Sequence, residues 1–193
     1  PERKVRPVVP PFDLLPPLLR GACLTLQIAL MSAVIDFFMA FLAGLGRMSR
    51  YGVVRVIASL YIEIFRGTSL LVQLFWLFFV LPFLGIKLSA FTAGVLALGL
   101  NSGAYDAEVV RGAVLAVPKG QIEAATALNF TPMQRMWRII LPQALVRILP
   151  PFGNSLIELL KASSLVSLVA IHELTFQGYS LRMTLGRTGE VFT

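Results

Sequence analysis

Long apolar stretches separated by short polar segments dominate this chain. Apolar residues run from Gly21 to Gly46 with Asp36 as the one charge, and no charge interrupts 67–86 or 88–105. A helix that spans a bilayer needs about 20 mostly apolar residues. The pattern therefore predicts four membrane-spanning helices, with approximate bounds of 21–46, 52–83, 88–112 and 139–160.

Two of these predicted spans are irregular. The second begins with an amphipathic part that carries Glu63 and Arg66, and the fourth contains Arg147, Glu158 and a Pro-Pro-Phe-Gly segment at 150–153. Proline removes a backbone donor from a helix and clashes with the preceding turn. We therefore expect the fourth helix to kink or break at this segment.

The polar segment between the third and fourth spans has the signals of two short helices. Residues 121–128 are good or neutral helix formers, and Pro118 suits the first turn of a helix. Asn129 tolerates the left-handed conformation that ends a helix. Thr131 can cap a new helix, with Gln134 at capping-box spacing. We expect two helices that meet at a break at Asn129.

Composition assigns the chain to the membrane class. Of its 193 residues, 56% are hydrophobic and 14% are charged, whereas soluble domains are about 25% charged. The net charge of +7 comes from Lys and Arg near the ends of apolar runs, which favours cytoplasmic anchoring. No pattern of aromatic and basic residues suited to stacking bases is present. We expect one domain over 1–193, in contact with lipid and not with nucleic acid.

Basic residues in the connections indicate an orientation. Three arginines lie in 47–55 and five basic residues lie in 106–147, but the connection between the second and third spans has only Lys87. Lys and Arg concentrate in cytoplasmic loops, so 47–55 and 106–138 are predicted to be cytoplasmic and the N-terminus outside. The basic residues of the N-terminal tail favour the opposite orientation; they are Arg3, Lys4, Arg6 and Arg20.

The sequence carries no motif for chemistry of its own. It has no phosphate-binding loop of the GxxxxGK[ST] type and no HExxH. Cys23 and His172 are each the single residue of their type, so neither builds a metal site alone. We predict no catalytic residue and no metal ligand, and any use of ATP must occur on another subunit.

The polar segment resembles the EAA loop of ABC-importer permeases. Glu123–Ala125 match its Glu-Ala-Ala, 139–142 match its Ile-x-Leu-Pro, and Asn129 stands where the family usually has Gly. In that family this loop docks on the ATPase. The resemblance implies a coupling segment at 118–138. The implied docking residues are Gln121, Glu123, Ala124, Ala125 and Asn129.

Four further blocks resemble permeases of the polar amino-acid uptake family, of the histidine, glutamine and arginine type. Residues 61–73 resemble YVExxRGTPLLVQ, 103–112 resemble GAYxAEIxRG, 117–121 resemble VPxGQ and 159–167 resemble LLKDTSLVS. Asp36 departs from the family, which usually has a small residue at this point of the first span. An ionisable group inside a membrane normally faces protein or water.

The resemblance implies an all-α integral membrane protein with the type I ABC importer fold. About five spans occur in the family, of which roughly four are expected here, with the last one absent or truncated. Implied partners are a second permease chain, identical or related, two ATPase subunits that hold ATP and magnesium, and an extracytoplasmic solute-binding protein. This chain needs no cofactor itself, and the implied location is the bacterial inner membrane.

The expected substrate is a polar amino acid or a similar small zwitterion. Residues 11–22 and 39–50 also resemble permeases for ectoine or hydroxyectoine. Transporter sites lie beside broken helices near the membrane midplane. Asn154 and Glu158 follow the predicted break, share one helical face, and could bind a substrate cation. Glu63 and Gln73 of the second span could also contact the substrate.

Other interpretations remain open at this point. Glu158 could pair with Lys161 and Glu63 with Arg66, each three residues away, and serve only the packing of the bundle. The chain would then be a structural partner permease without its own substrate site. A passive channel or carrier outside the ABC class would not need the EAA-like segment, and its transport would survive depletion of ATP.

Overall fold

The computed structural model describes residues 15–169, and the regular structure in that range is helical. The predictions about the N-terminal tail and a final span concern residues outside this range. The α-helices are α1 Leu15–Gly46, α2 Gly52–Gly67, α3 Leu70–Phe75, α4 Ala90–Leu115, α5 Lys119–Ala127, α6 Pro132–Arg135 and α7 Leu141–Ala162.

Two π-helical turns extend these elements. Trp76–Val80 continues α3, and Met136–Ile140 joins α6 to α7. Each turn ends two residues before a proline, Pro82 or Pro142. Proline lacks the N–H that the preceding turn would use, and widened turns of this kind accompany such interruptions of the hydrogen-bond ladder. As a result, residues 132–162 form one uninterrupted helical run.

The packing of α1 along α4 forms the centre of the bundle. A Cβ added to Gly44 would lie 2.7 Å from the carbonyl oxygen of Ala107, and one added to Gly99 would lie 2.7 Å from Cβ of Ile35. Small residues let membrane helices approach this closely and gain dispersion contacts. Other buried residues on this interface and on the α7 side include Ile28, Ala40, Ala97, Leu98, Val110, Ala144, Ile148 and Leu159.

The predicted spans are matched in part by helices of suitable length and hydropathy. Within residues 15–169, one helix alone is long and apolar enough to cross a bilayer, the Leu18–Gly46 part of α1. Gly52–Gly67 and Leu70–Leu84 pass this test only together. In α4 and α7, charged and amide side chains lower the hydropathy, so their crossing of the membrane stays a prediction.

The second predicted span is bent rather than straight. Its two parts meet at an angle of 104°. Thr68 and Ser69 are extended between them, and the Ser69 hydroxyl accepts the Leu71 N–H at 3.3 Å to begin α3. A serine at this position favours a new helix start, which explains why the uncharged run at 67–86 does not continue α2.

Of the kink or break predicted in the fourth helix, the break is wrong. Helix α7 runs from Leu141 to Ala162 with Pro150 and Pro151 inside it. Ile148 and Ser155 are buried on either side of the prolines, and Phe152 packs against the buried cluster of α1, α4 and α7. Tertiary packing thus maintains the helix where local propensity predicts an interruption.

Candidate functional site

A cavity of about 200 Å³ lies between α3, α4 and α7. Its α4 wall and its α7 wall each consist of side chains three or four positions apart, which places them on one face of each helix. Neutral polar groups and two carboxylic acids are mixed with apolar side chains. The lining residues are Leu70, Leu98, Asn101, Ser102, Tyr105, Asp106, Ser155, Glu158, Leu159 and Ala162.

The cavity includes one of the two substrate residues predicted on the fourth helix. Glu158 lines it, whereas Asn154 is exposed on α7 and does not. The neighbouring Ser155, which is buried, occupies the cavity wall instead. The alternative pairing of Glu158 with Lys161 is not among the ion pairs of residues 15–169. Glu158 is therefore free of that partner and faces the cavity.

Gln73 stabilises the bend between α2 and α3 and does not line the cavity. Its amide nitrogen donates to the carbonyl oxygen of Phe65 at 2.8 Å and to the Thr68 hydroxyl at 2.7 Å. Its amide oxygen accepts from Nδ2 of Asn101 at 3.2 Å. Since Asn101 does line the cavity, Gln73 influences the cavity through this amide.

Glu63 lies apart from the cavity, in a separate recess beside Arg47, Arg66 and Tyr105. The alternative pairing of Glu63 with Arg66 is not among the ion pairs of residues 15–169. Arg66 instead approaches Glu108, at 4.0 Å. Glu108 also binds Arg111, at 2.9 Å, and Arg47.

The Glu108 cluster has a structural role. Glu108 pairs with Arg111 within α4, and the bond to Arg47 joins the C-terminal end of α1 to the C-terminal part of α4. The arginine-rich connection at 47–55 and the connection after α4 therefore start from the same end of the bundle, as the orientation analysis predicted.

Behind the cavity, two buried carboxylic acids face each other. Asp36 of α1 and Asp106 of α4 are 2% and 4% exposed, and their carboxyl groups are within hydrogen-bonding reach of each other. Oγ of Ser155 donates to Oδ1 of Asp106 at 2.9 Å. From α2, the hydroxyl of Tyr61 donates to the carbonyl oxygen of Leu100 at 2.6 Å.

Sequence reasoning singled out Asp36 but missed Asp106 and Ser155. Asp106 falls inside the 103–112 block, which was matched to the family through the residues around Asp106. Ser155 lies next to Asn154, which was the residue predicted to bind substrate. The sequence signal that could have identified Asp106 is its charge within an apolar stretch, because a buried carboxylate needs a partner. The identity of that partner depends on tertiary contacts that spacing along the chain does not encode.

The break in the polar segment has the predicted form. Asn129 has φ of 57°, the left-handed conformation. The N–H of Asn129 donates to Thr126 O at 2.9 Å, and the N–H of Phe130 donates to Ala125 O at 3.0 Å. This pair of bonds is the Schellman arrangement that closes a helix C-terminus. Asn takes the position that Gly usually fills.

The new helix after the break has the predicted capping box. The Thr131 hydroxyl accepts the Gln134 N–H at 3.3 Å, and the Gln134 side chain accepts the Thr131 N–H at 2.9 Å. Pro132 follows in the first turn. The start of the first helix is one residue later than predicted, because Pro118 is the residue before α5 rather than part of its first turn.

Side-chain bonds attach α5 to the helical run that follows it. Nη1 of Arg135 donates to the Thr126 hydroxyl at 2.5 Å, and Gln143 of α7 donates to Gln121. Gln143 also bonds to the carbonyl oxygen of Ile139 at 3.0 Å. Both ends of α5 are therefore bonded to the helical run at 132–162.

The predicted docking residues have different exposures. Gln121, Glu123, Ala124 and Asn129 are exposed. Ala125 is 1% exposed, so its side chain does not lie on the surface of α5, and its part in docking stays a prediction. It packs inward, where a larger side chain would separate α5 from the run that follows.

Comparisons with known proteins agree with this architecture. The family model for the binding-protein-dependent transport system inner membrane component matches residues 36–189. The probable amino-acid ABC transporter permease protein y4tF of Sinorhizobium fredii is 51% identical over 187 residues, which are 94% of this chain and 79% of that protein. The glutamine transport system permease protein GlnP of Escherichia coli is 38% identical over 169 residues, 86% of this chain and 77% of that protein.

Solved structures share the fold. The crystal structure of an amino acid ABC transporter with histidines matches with a TM-score of 0.86 and 38% identity, over 94% of this chain and 85% of that one. An inward-facing structure of the MetNI methionine ABC transporter matches with a TM-score of 0.74 and 26% identity, over 91% and 84%. The chain therefore belongs to the family of binding-protein-dependent transport system inner membrane components and is a permease subunit of an ABC importer, with the all-α type I importer fold.

Proposed function

We propose that this chain forms a translocation path for a polar amino acid or a similar small zwitterion, and that the cavity between α3, α4 and α7 contacts the substrate. The cavity itself is the observation that carries the proposal, because it combines polar side chains with an apolar wall inside the bundle. Ligand sites have this mixed character. Relatives named for amino acids or glutamine support the substrate class.

The chemistry of the lining fits a substrate with a cationic group. Glu158 and Asp106 are acids, and among the residues that the structure describes no basic side chain lines the cavity. A carboxylate accepts strong hydrogen bonds from an ammonium or amidinium group. The Ser102 hydroxyl can donate or accept, and the Asn101 amide oxygen can accept, because Nδ2 of Asn101 is already bonded to Phe65 and Gln73. In this proposal Glu158 is the primary substrate contact, Gln73 acts through Asn101, and the earlier predictions for Asn154 and Glu63 lose support.

ATP-driven coupling is the second part of the proposal. α5 is the element that docks on a separate ATPase, with exposed Glu123 and Ala124 facing it. Leu128, at the end of α5, is 69% exposed and would add an apolar contact. The bonds from α5 to Arg135 and Gln143 support transmission of the motion into α7, whose other half lines the cavity.

The assembly follows from the family. A second permease chain, identical or related, would pair with this one, and two ATPase subunits would bind ATP and magnesium. An extracytoplasmic solute-binding protein would deliver the substrate, and the complex would lie in the bacterial inner membrane. This chain would hydrolyse no ATP and hold no cofactor.

Uptake into proteoliposomes tests the substrate site. The complete complex is reconstituted with its ATPase and binding protein, and ATP-dependent uptake of radiolabelled glutamine, histidine and arginine is measured. For the amino acid that the wild type transports, Glu158→Gln should reduce uptake by about 10-fold or more, because a hydrogen bond to a charged group contributes roughly 1.5–3 kcal/mol. Asn154→Ala is the matched control on the same helix and should transport normally.

The outcomes separate this function from its rivals. Equal uptake by Glu158→Gln, Asn154→Ala and the wild type would indicate a structural permease chain without a substrate site. Uptake that continues without ATP would indicate a passive carrier. Loss of transport in the glutamine variant alone, with ATP hydrolysis by the complex retained, supports the proposal.

A further inference from the structure

The carboxyl pair behind the cavity has an unusual hydrogen-bond pattern. Oδ1 of Asp106 accepts from Ser155. Oδ1 of Asp36 and Oδ2 of Asp106 are buried and have no hydrogen-bond partner among the described residues. Buried polar atoms are nearly always paired, so two unpaired acceptors in one place require an explanation.

Basic side chains do not provide that explanation. Within residues 15–169, no ion pair involves Asp36 or Asp106, and Glu108 takes the arginines of the nearby ion-pair cluster. From α2, the group that faces Asp36 is the Tyr61 side chain, whose proton is directed to Leu100. From α7, the groups that face Asp106 are Ser155, which is neutral, and Glu158, which is a further acid.

Two ionised carboxylates in this position would repel each other at short range and lose their hydration. Burial of one unpaired charge is already costly in a membrane protein, and two like charges in contact are more so. A proton on one carboxyl group removes both problems. It turns that group into a donor toward the other, and the two unpaired oxygens become a donor–acceptor pair.

We propose that Asp36 and Asp106 share one proton inside the bundle, so that the pair carries a single negative charge. Ser155 donates to Asp106, which stabilises that charge on the α4 side, next to the cavity. The shared proton then joins α1 to α4, and Ser155 joins both to α7. These are the three helices that meet where the helical run at 132–162 passes behind the cavity.

Infrared spectroscopy of the purified protein in lipid at neutral pH detects whether the Asp36 and Asp106 carboxyl groups hold a proton. The wild type should show the carbonyl stretch of one protonated carboxyl group that is lost in Asp36→Asn and also in Asp106→Asn. In each variant the asparagine amide donates to the remaining carboxylate, which no longer needs the proton. This test does not depend on the substrate or on transport, so it stands or falls separately from the proposed function.

Each other result would overturn the proposal. Absence of a difference between the wild type and both variants would mean that neither acid is protonated. A protonated carboxyl band that remains in Asp36→Asn and disappears only when Asp106 is also replaced would mean that Asp106 holds a proton of its own instead of sharing one with Asp36. Glu63→Gln is the matched control, and it should leave the band unchanged because Glu63 is exposed and lies in a separate recess, away from the pair.

Thermal unfolding provides a second measurement. Asp36→Asn keeps a donor for Asp106 and should unfold close to the wild-type temperature. Asp36→Ala leaves the Asp106 carboxylate buried with Ser155 as its one donor, and should unfold at a clearly lower temperature. Equal unfolding temperatures for the asparagine and alanine variants would contradict a hydrogen bond between the two acids.

Discussion

The coupling segment at 118–138 and the cavity between α3, α4 and α7 contrast in how their structures are determined. In the coupling segment, bonds between residues at most five positions apart fix the break, with Asn129 and the Thr131–Gln134 box at its centre. At the cavity, the key bond from Ser155 to Asp106 joins residues 49 positions apart.

The difference matters for function. A docking element must keep its shape while a partner moves it, and local caps give it that shape independently of the bundle. A translocation path must respond to changes in helix packing, and its groups come from several helices that can shift relative to one another. Substitutions in the two regions should therefore produce different kinds of defect.

The largest effect is expected from Ala124→Pro, which disrupts the coupling segment, the region whose structure is set by local bonds. Proline in the middle of α5 removes a helix hydrogen bond and costs about 3 kcal/mol. ATP-driven uptake in proteoliposomes should be lost, while the permease still inserts and assembles. Ala124→Gly, which costs about 1 kcal/mol, should lose only part of the activity, and Glu123→Ala should also reduce uptake. Normal uptake by all three variants would exclude α5 as the docking element.

The next largest effect is expected at Gly99, in the part of the molecule that is set by packing between helices. A Cβ there would lie 2.7 Å from Cβ of Ile35 and 2.9 Å from the carbonyl oxygen of Ser32. Gly99→Ala should therefore destabilise the α1–α4 interface by about 1–3 kcal/mol, which a lower midpoint of thermal unfolding would show.

A second glycine on the same helix is the matched control for that prediction. A Cβ on Gly112 would meet no atom within 4 Å, so Gly112→Ala should be neutral or stabilising by about 0.5–1 kcal/mol through helix propensity. If both variants were equally stable, the close approach of α1 and α4 would be disproved.

Predictability from sequence follows the same division. The helix end at Asn129 and the capping box at Thr131 were predictable because their signals lie within a few residues. The helix break at Pro150 was predicted wrongly, since packing around Ile148 and Ser155 outweighs the missing N–H groups.

The cavity was predictable only in part. Glu158 was found because it follows the Pro-Pro segment, where a break was predicted, although the helix is continuous at this point. Asp106 and Ser155 were missed because their roles arise from contact with Asp36 and with each other. Helical spacing favoured Asn154 as the partner of Glu158, but the rotation of α7 in the bundle directs Ser155 inward instead, and a single sequence does not determine that rotation.

A smaller effect is expected from Thr131→Ala, which tests whether the coupling segment is stabilised independently of the helix bundle. The substitution removes the hydroxyl that accepts the Gln134 N–H at 3.3 Å, and loss of such a cap costs about 1 kcal/mol. Hydrogen exchange of the backbone amides at 133–135 should accelerate, with little change in α4. Thr131→Ser keeps the cap and should exchange like the wild type. Equal acceleration across the whole bundle would show that the segment is not an independent local unit.

The smallest effect is expected from Asn129→Gly, and its sign decides what the asparagine is for. Gly adopts a φ of 57° without strain, but it also loses more backbone entropy on folding. The two terms nearly cancel, so the free energy of unfolding should change by a few tenths of a kcal/mol at most. Asn129→Ala is the reference, because a Cβ without a local hydrogen-bonding side chain costs about 1–2 kcal/mol in the left-handed conformation. If Asn129 serves only the break, ATP-driven uptake by the glycine variant should equal that of the wild type. If uptake falls while stability is unchanged, the exposed amide of Asn129 contacts the ATPase directly, and the coupling segment is then a recognition surface as well as a mechanical one.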